Sequence, residues 1–572
     1  MRIGKVLAVM PVVLALLATG PASQAAGHAH KTGRRAAPGT TSYERQVASL
    51  PARFTKQKLA WTPCDAKIKD QDVKAFWAGA KCALLTAPLD YARPGGKAIK
   101  IAIDEVLSAP GNKSPGILLT NPGGPGGAGL SMAPFLANGI DSPDAIHDSY
   151  DILGMNPRGV GPSTDGSGPD AAKTMGIGAT TLTCASSDVS YVPPALPIWA
   201  SPELRALATE AKAQEAACQR TADGIRPYIT TMNTARDMDL LRVVLRKKKI
   251  NYYGVSYGTF LGAVYGAMFP RNLNRMVLDG SMSPVTSWYA ESPFDNQAKL
   301  LNFDAFAAWA VANKQGLGGT PRAVRATVDG LYKDVEDSDP RPLGGYTPGK
   351  LAKDIGEFTR YRPDWVQFAA SLRNAVAADR GGKVDPAITE EVDGASTLVP
   401  APSEVNPMDD ADFSDGVYNA VTCNWPWPKP DDAGYKVYND NIADWEKRFP
   451  YAGTISAVGP SACTYLSYKP LEKLPVIRSR GPYPKGLVVN SEGDTQTPLS
   501  MARQMAKTLG FDLITISNDG KHGSAFSGNK CVDGAVTNYL VSGKLPGNIT
   551  CPTINPPGDT SLTSEAAAVA GQ

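Results

Sequence analysis

The stretch Gly254-Val255-Ser256-Tyr257-Gly258 fits the pattern G-x-S-x-G, and its setting gives the pattern meaning. A strand-like run, Ile250–Tyr253, leads straight into it, and a helical run, Thr259–Phe269, leaves it and is stopped by Pro270. Such a strand-to-helix turn lifts a serine hydroxyl above the edge of a sheet, where it can attack a carbonyl. The flanking glycines are required because the turn brings backbone and neighbouring strands too close for a Cβ. Gly262 and Gly266 extend a small-residue face at helical spacing, so that the helix lies close on the sheet. A serine at its ordinary pKa is a weak nucleophile and needs a base, usually a histidine held by a carboxylate. The chain has only four histidines, and His28 and His30 lie in the leader region. Of His147 and His522, only His522 follows the serine, as the order nucleophile, acid, base demands. It sits in the glycine-rich loop Asp519-Gly520-Lys521-His522-Gly523 after a strand-like run. The acid belongs on a loop after an intervening strand. Asp494 meets that condition behind Gly486–Asn490, with Glu492 and Asp519 as rivals.

Acyl transfer also needs two N–H groups aimed at the oxyanion that forms, each worth about 10²–10³ in rate. One is the N–H of Tyr257, directly after the nucleophile. The other is expected from the loop Asn121-Pro122-Gly123-Gly124-Pro125-Gly126-Gly127, with Gly124 as the donor. A phosphate-binding loop is the competing reading of that segment. It lacks the Gly-Lys-Ser/Thr ending, and the dinucleotide fingerprint fits poorly.

The elements that must position these residues alternate between strand and helix signals. Ile99–Val106, Gly116–Thr120, Tyr150–Met155, Ile250–Tyr253, Arg275–Leu278, Gly486–Asn490 and Leu513–Ser517 read as strands, and Met232–Leu245 as an amphipathic helix. The alternation predicts an α/β fold, a mostly parallel sheet covered on both faces. Its two parts are expected over 46–284 and 483–552, separated by a mainly helical cap or insertion over 285–482. An insertion of that size can roof the site and close one end of the cleft. Its acids Glu291, Glu390, Glu391, Glu404, Asp409, Asp410 and Asp412 are candidates to hold a substrate ammonium, and the sequence does not choose among them.

Of the 572 residues 42% are hydrophobic, ample for a large core, and the net charge of +3 offers no field for nucleic acid or an anionic membrane. Arg2 and Lys5, the apolar run Val6–Ala18 and the small-x-small site Ser23-Gln24-Ala25 have the layout of a secretory signal peptide over residues 1–25, shorter than a membrane anchor needs. A flexible segment or pro-segment is expected over 26–45, and a disordered tail over 553–572. Eight cysteines agree with an exported, extracellular protein. They fall into sequence-local couples, Cys64 with Cys82, Cys184 with Cys218, Cys423 with Cys463 and Cys531 with Cys551, none at zinc-ligand spacing. Neither a metal nor a cofactor is expected, since H-E-x-x-H is absent and histidine scarce.

Taken together, the Asn121–Gly127 loop, Asn156-Pro157-Arg158-Gly159-Val160-Gly161-Pro162-Ser163, the Ser256 pentapeptide and the Asp494/His522 pair resemble the proline-iminopeptidase-related serine peptidases. Within that group the chain is most similar to the secreted bacterial tripeptidyl aminopeptidases, a likeness that Trp61–Cys64 and Lys81–Tyr91 extend over roughly residues 55–555. Asn121 stands where the wider group commonly has histidine, in keeping with the tripeptidyl branch. The resemblance implies an α/β-hydrolase core with a helical cap, no metal, and removal of short peptides from peptide or protein substrates with free N-termini. An esterase or lactonase on the same machinery is the alternative, and an inactive binding protein a more distant one. For Arg158 and Asp237 a structural role is expected.

Overall fold

The computed structural model describes residues 40–68, 71–108, 116–139, 143–161, 178–184, 201–222, 224–285, 288–290, 292–338, 342–389, 415–429, 435–449, 459–479 and 481–557. Its centre is a sheet of ten strands: β1 (Thr62–Pro63), β2 (Lys81–Pro88), β3 (Ala98–Val106), β4 (Ile117–Asn121), β5 (Asp151–Met155), β6 (Ile250–Val255), β7 (Leu273–Asp279), β8 (Leu487–Ser491), β9 (Asp512–Ser517) and β10 (Ile549–Pro552). The order across the sheet is β1-β2-β3-β5-β4-β6-β7-β8-β9-β10. The first three pairings are antiparallel, and every pairing from β5 to β10 is parallel.

The parallel strands lack polar alternation because both faces are covered. Every residue of β4, β6 and β8 is buried. Neighbouring residues on one strand go to opposite sides: Leu119, Tyr252, Leu278 and Val488 to one core, Leu118, Tyr253, Val277 and Val489 to the other. The first core takes the helices Thr231–Val244, Tyr257–Met268 and Leu499–Leu509; the second takes Met132–Asn138, Asp144–Ser149 and Lys530–Ser542. The expected α/β architecture is therefore present, with β1, β2 and β10 added at its edges.

The described residues reach into both end segments expected to be flexible. The flexible segment expected over 26–45 gives way to a helix, Ser42–Ala48, in which Thr41 and Glu44 form a reciprocal capping box and Thr41 Oγ1 donates to the Met268 carbonyl at 2.7 Å. The tail expected to be disordered from 553 starts with Thr553 donating its hydroxyl to Asp519 at 2.7 Å. Residues 1–39 and 558–572, including the expected signal peptide, lie outside the described residues.

Between β7 and β8 the described elements are helices. Ser292–Ala312, Pro321–Ser338, Pro348–Phe358 and Trp365–Asp379 bury their own cluster around Phe303, Phe306, Leu351, Trp365 and Phe368. A second cluster joins Tyr438, Ile442, Trp445 and Phe449 to Leu204 and Leu207 from the helix Ser201–Ala222. Part of the helical layer thus comes from chain that precedes Ser256, outside the 285–482 segment. Cysteines pair as Cys64–Cys82, Cys184–Cys218, Cys423–Cys463 and Cys531–Cys551. Closing loops of 18 to 40 residues, each contributes roughly 3–4 kcal/mol by restricting the unfolded chain. No helix among the described residues is long and apolar enough to cross a membrane.

Candidate active site

Ser256 stands at the junction of β6 with the helix Tyr257–Met268, at φ 56° and ψ −128°, a conformation costly for any residue with a Cβ. The strain is held from both sides. Ser256 N–H donates to the Asp279 carbonyl at the end of β7 (3.0 Å), and the Ser256 carbonyl accepts from Thr259 N–H (2.9 Å) and Thr259 Oγ1 (2.6 Å). Gly258 is required by close approach, since a Cβ there would lie 2.6 Å from the Asn121 carbonyl. Gly123 is required for the same reason: its Cβ would fall 2.6 Å from the Val255 carbonyl and 2.8 Å from Ser256 Cβ. The glycine-rich loop after β4 therefore runs against the Ser256 turn, tethered by Gly123 N–H donating to Asn121 Oδ1 at 3.1 Å.

Asp494 follows β8 and His522 follows β9, and the two meet: His522 Nδ1 lies 2.8 Å from Asp494 Oδ2. The Asp494 carboxylate is wholly buried and accepts from Gln496 N–H (2.8 Å), Thr497 N–H (3.1 Å) and Thr497 Oγ1 (2.8 Å). Burial alone would raise its pKa. The adjoining imidazole, Thr497 and the Arg360 charge outweigh that and hold it below the usual carboxylate range. The rivals are engaged elsewhere. Glu492 accepts from Asn518 N–H at 2.9 Å, and Asp519 accepts from Lys521 N–H, Ser491 and Thr553. His147 bonds through Nε2 with the Leu107 carbonyl at 3.1 Å.

Two further residues organise the site. Thr497 Oγ1 touches both partners, at 2.8 Å from Asp494 Oδ2 and 3.2 Å from His522 Nδ1. Asp279, wholly buried, takes Ser256 N–H on its carbonyl while its carboxylate accepts from Ser524 N–H (2.9 Å), Ala525 N–H (2.8 Å) and Tyr253 OH (3.1 Å). One residue at the end of β7 thus anchors the turn of Ser256 and the chain just after His522. Gly280, next to it, packs against the imidazole: a Cβ there would be 3.0 Å from His522 Cε1. Thr497→Val removes one donor from a buried carboxylate, a loss of about 1–3 kcal/mol. We expect kcat to fall roughly 10- to 100-fold with KM nearly unchanged, as steady-state kinetics on a chromogenic substrate would measure.

Ser256 and Gly124 open onto a cavity of about 350 Å³, lined also by Met282, Trp288, Asp295, Lys299, Glu357, Tyr418 and Thr495–Thr497. The sheet loops supply its floor residues and the helical insertion the others. Asp295 was not among the acids singled out by sequence; all seven of those lie outside the described residues. Its Oδ1 is buried with no hydrogen-bond partner, and burial pushes the carboxyl well above its ordinary range, opposed by Lys299 and reinforced by Asp494. Arg158 and Asp237 form a two-pronged, fully buried pair (both contacts 2.7 Å), and Arg158 also donates to the carbonyls of Leu89 and Tyr228. The pair braces the end of β2 against the helix Thr231–Val244.

Residues 116–322 match the family described as alpha/beta hydrolase fold, and residues 449–551 match the family described as TAP-like protein. Ser256 falls in the first match, Asp494 and His522 in the second. Over 521 residues the chain is 30% identical to a tripeptidyl aminopeptidase of Streptomyces lividans, covering 89% of each. It is 26% identical over 538 residues to the serine protease Hip1 of Mycobacterium tuberculosis, covering 88% of this chain and 93% of that one. Carboxylesterase B of the same organism is 29% identical over 494 residues, at 85% and 88% coverage. The chain belongs to the tripeptidyl aminopeptidase family of α/β-hydrolase serine enzymes.

Proposed function

We propose that the protein is an exported serine exopeptidase that releases tripeptides from the free N-termini of peptides and proteins. Ser256 attacks the carbonyl after the third residue while His522 takes its proton through Nε2. Asp494 holds the imidazole in the tautomer that leaves Nε2 able to accept, and stabilises the imidazolium that follows. The N–H groups of Tyr257 and Gly124 receive the oxyanion. His522 then protonates the leaving amine, and water releases the tripeptide from the acyl-enzyme. Export through residues 1–25 agrees with the disulfides, which persist in oxidising compartments.

The observation that carries the exopeptidase reading is the unpartnered Asp295 Oδ1, in a residue lining the cavity onto which Ser256 opens. A substrate ammonium gives that oxygen its missing donor and restores its charge, so the free N-terminus is held at a fixed remove from the nucleophile. Blocking the amine should therefore lower kcat/KM for a tripeptidyl chromogenic substrate by at least ~30-fold, the lower end for breaking a desolvated charge pair. Asp295→Asn should bring the free and N-acetylated substrates close to equality. Equal hydrolysis of both by the unaltered enzyme would remove amine anchoring.

The similarity to a carboxylesterase favours a second reading, ester hydrolysis by the same Ser256 machinery. Comparing a tripeptidyl anilide with short acyl esters separates the two, because an esterase would prefer the acyl ester with no dependence on a free amine.

A further inference from the structure

A second cavity lies apart from Ser256, where the turn Arg360–Pro363 faces Asp519, Gly520, Lys521 and Asn555. Its volume of about 10 Å³ holds one water-sized particle. Three cations line it, and two of them, Arg360 and Arg362, are buried. Arg362 donates through Nη1 to the carbonyls of Thr359 (2.7 Å) and Arg360 (2.8 Å), and through Nη2 to Asn302 Oδ1 (3.1 Å). Arg360 donates to the Tyr361 hydroxyl and to Thr495 Oγ1 (3.5 Å), and approaches Glu357 only to 3.8 Å. The Nε atoms of both are buried with no hydrogen-bond partner.

Glu357, as an ion pair at 3.8 Å, and Asp494 favour the Arg360 charge, whereas no ion pair is formed by Arg362 among the described residues. Asp519, the only acid lining the gap among the described residues, accepts from Lys521 N–H (2.7 Å), Ser491 Oγ (3.3 Å) and Thr553 Oγ1 (2.7 Å). Glu492, which acts on Arg362 through space, accepts from Asn518 N–H. Burial consequently pulls the Arg362 guanidinium down to about 10, with Asp519 and Glu492 offsetting only part of the penalty. A buried cation without a bonded anion is costly, and a bound anion removes that cost.

We propose that this gap binds a single monatomic anion of the halide class, held by Arg360, Arg362 and Lys521. The small gap favours the class: a halide, though wider than a water, asks for less widening than a tetrahedral oxyanion or a carboxylate. The site adjoins both catalytic loops. A Cβ at Gly493 would lie 2.7 Å from Arg362 Nη2, and Gly520 packs on the Arg360 backbone. The anion therefore ties the turn of the helical layer to the loops carrying Asp494 and His522, and acts on them by positioning.

The test uses the full-length protein dialysed into gluconate and titrated with chloride at constant ionic strength. A saturable rise of about 1–3 °C in the melting midpoint is expected, with bromide effective and sulfate not. Crystals soaked in bromide should show one anomalous peak between Arg360 and Arg362. Lys521→Gln, at a half-exposed position, should raise the half-saturating chloride concentration several-fold; this variant keeps the test open if substitution of Arg362 prevents folding. Equal midpoints in chloride and gluconate would overturn the proposal. So would a non-saturating rise that sulfate exceeds, which is the general salt effect. A water in place of bromide, or an unchanged response in Lys521→Gln, would overturn it too. None of these readouts requires peptidase activity, so the site stands or falls independently of the proposed reaction.

Discussion

Replacing Ser256 by alanine is expected to lower kcat by about 10⁴–10⁶-fold while leaving the melting midpoint essentially where it was. The described hydrogen bonds of Ser256 run through its backbone N–H and C=O, to Asp279 and Thr259, and alanine keeps them. The backbone strain at φ 56° is the same for both side chains, so stability does not change on that account. What alanine deletes is the hydroxyl facing the cavity. A fluorophosphonate probe should label the natural protein once, and the variant not at all. Retained turnover in a variant of unchanged melting behaviour would move the nucleophile elsewhere.

The second large effect is expected at Asp494. Asparagine is nearly isosteric, but its amide can turn an N–H toward His522 Nδ1, where the carboxylate accepts at 2.8 Å. The imidazole then takes the tautomer that carries its proton on Nε2, the wrong one for a base. A loss of about 10⁴-fold in kcat at neutral pH follows. Stability should also separate the two proteins in a pH-dependent way. The folded-state pKa of Asp494 is lowered, so its contribution is complete above the ordinary carboxylate range, about pH 4, and is lost as pH falls through the lowered value. Thermal melts between pH 3 and pH 7 should show the natural protein's advantage over Asp494→Asn narrowing on the acid side. A constant gap would mean that the carboxylate is not held ionised by its neighbours.

Sequence alone singles out Ser256 and His522 for different reasons. Ser256 is marked by a change of period, from a strand-like run to a helix with small residues facing the sheet, within a few positions. His522 is marked by scarcity and chain order. Asp494 needed only a strand boundary, which the run Leu487–Asn490 supplies. The edges of the sheet left weaker traces. β1 is two exposed residues, β10 is largely exposed, and β2 alternates imperfectly before ending at Pro88. These strands are fixed by pairing and by Cys64–Cys82 and Cys531–Cys551, which are not local properties. The capped helix at Ser42–Ala48 was hidden in a polar leader, although Thr41 and Glu44 carry a capping-box signature.

Within the site, the unread residues are those whose role depends on tertiary packing. Thr497 stands three positions after Asp494, a spacing that allows a hydroxyl to fold back on a carboxylate, yet many threonines share it. Asp295 is one acid among many in the helical insertion, and only the packing of Ser292–Ala312 over the sheet brings it to the cavity of Ser256. Arg360 and Arg362 likewise acquire significance only where their turn meets the His522 loop.

The most direct measurement is mass analysis of the fragments released from a mixed pool of peptides with free N-termini, with the Ser256→Ala protein as the blank. Tripeptides drawn from the amino end should accumulate with the natural protein and be absent from the blank. Single residues, dipeptides, internal fragments, or equal release by the blank would contradict the proposed reaction.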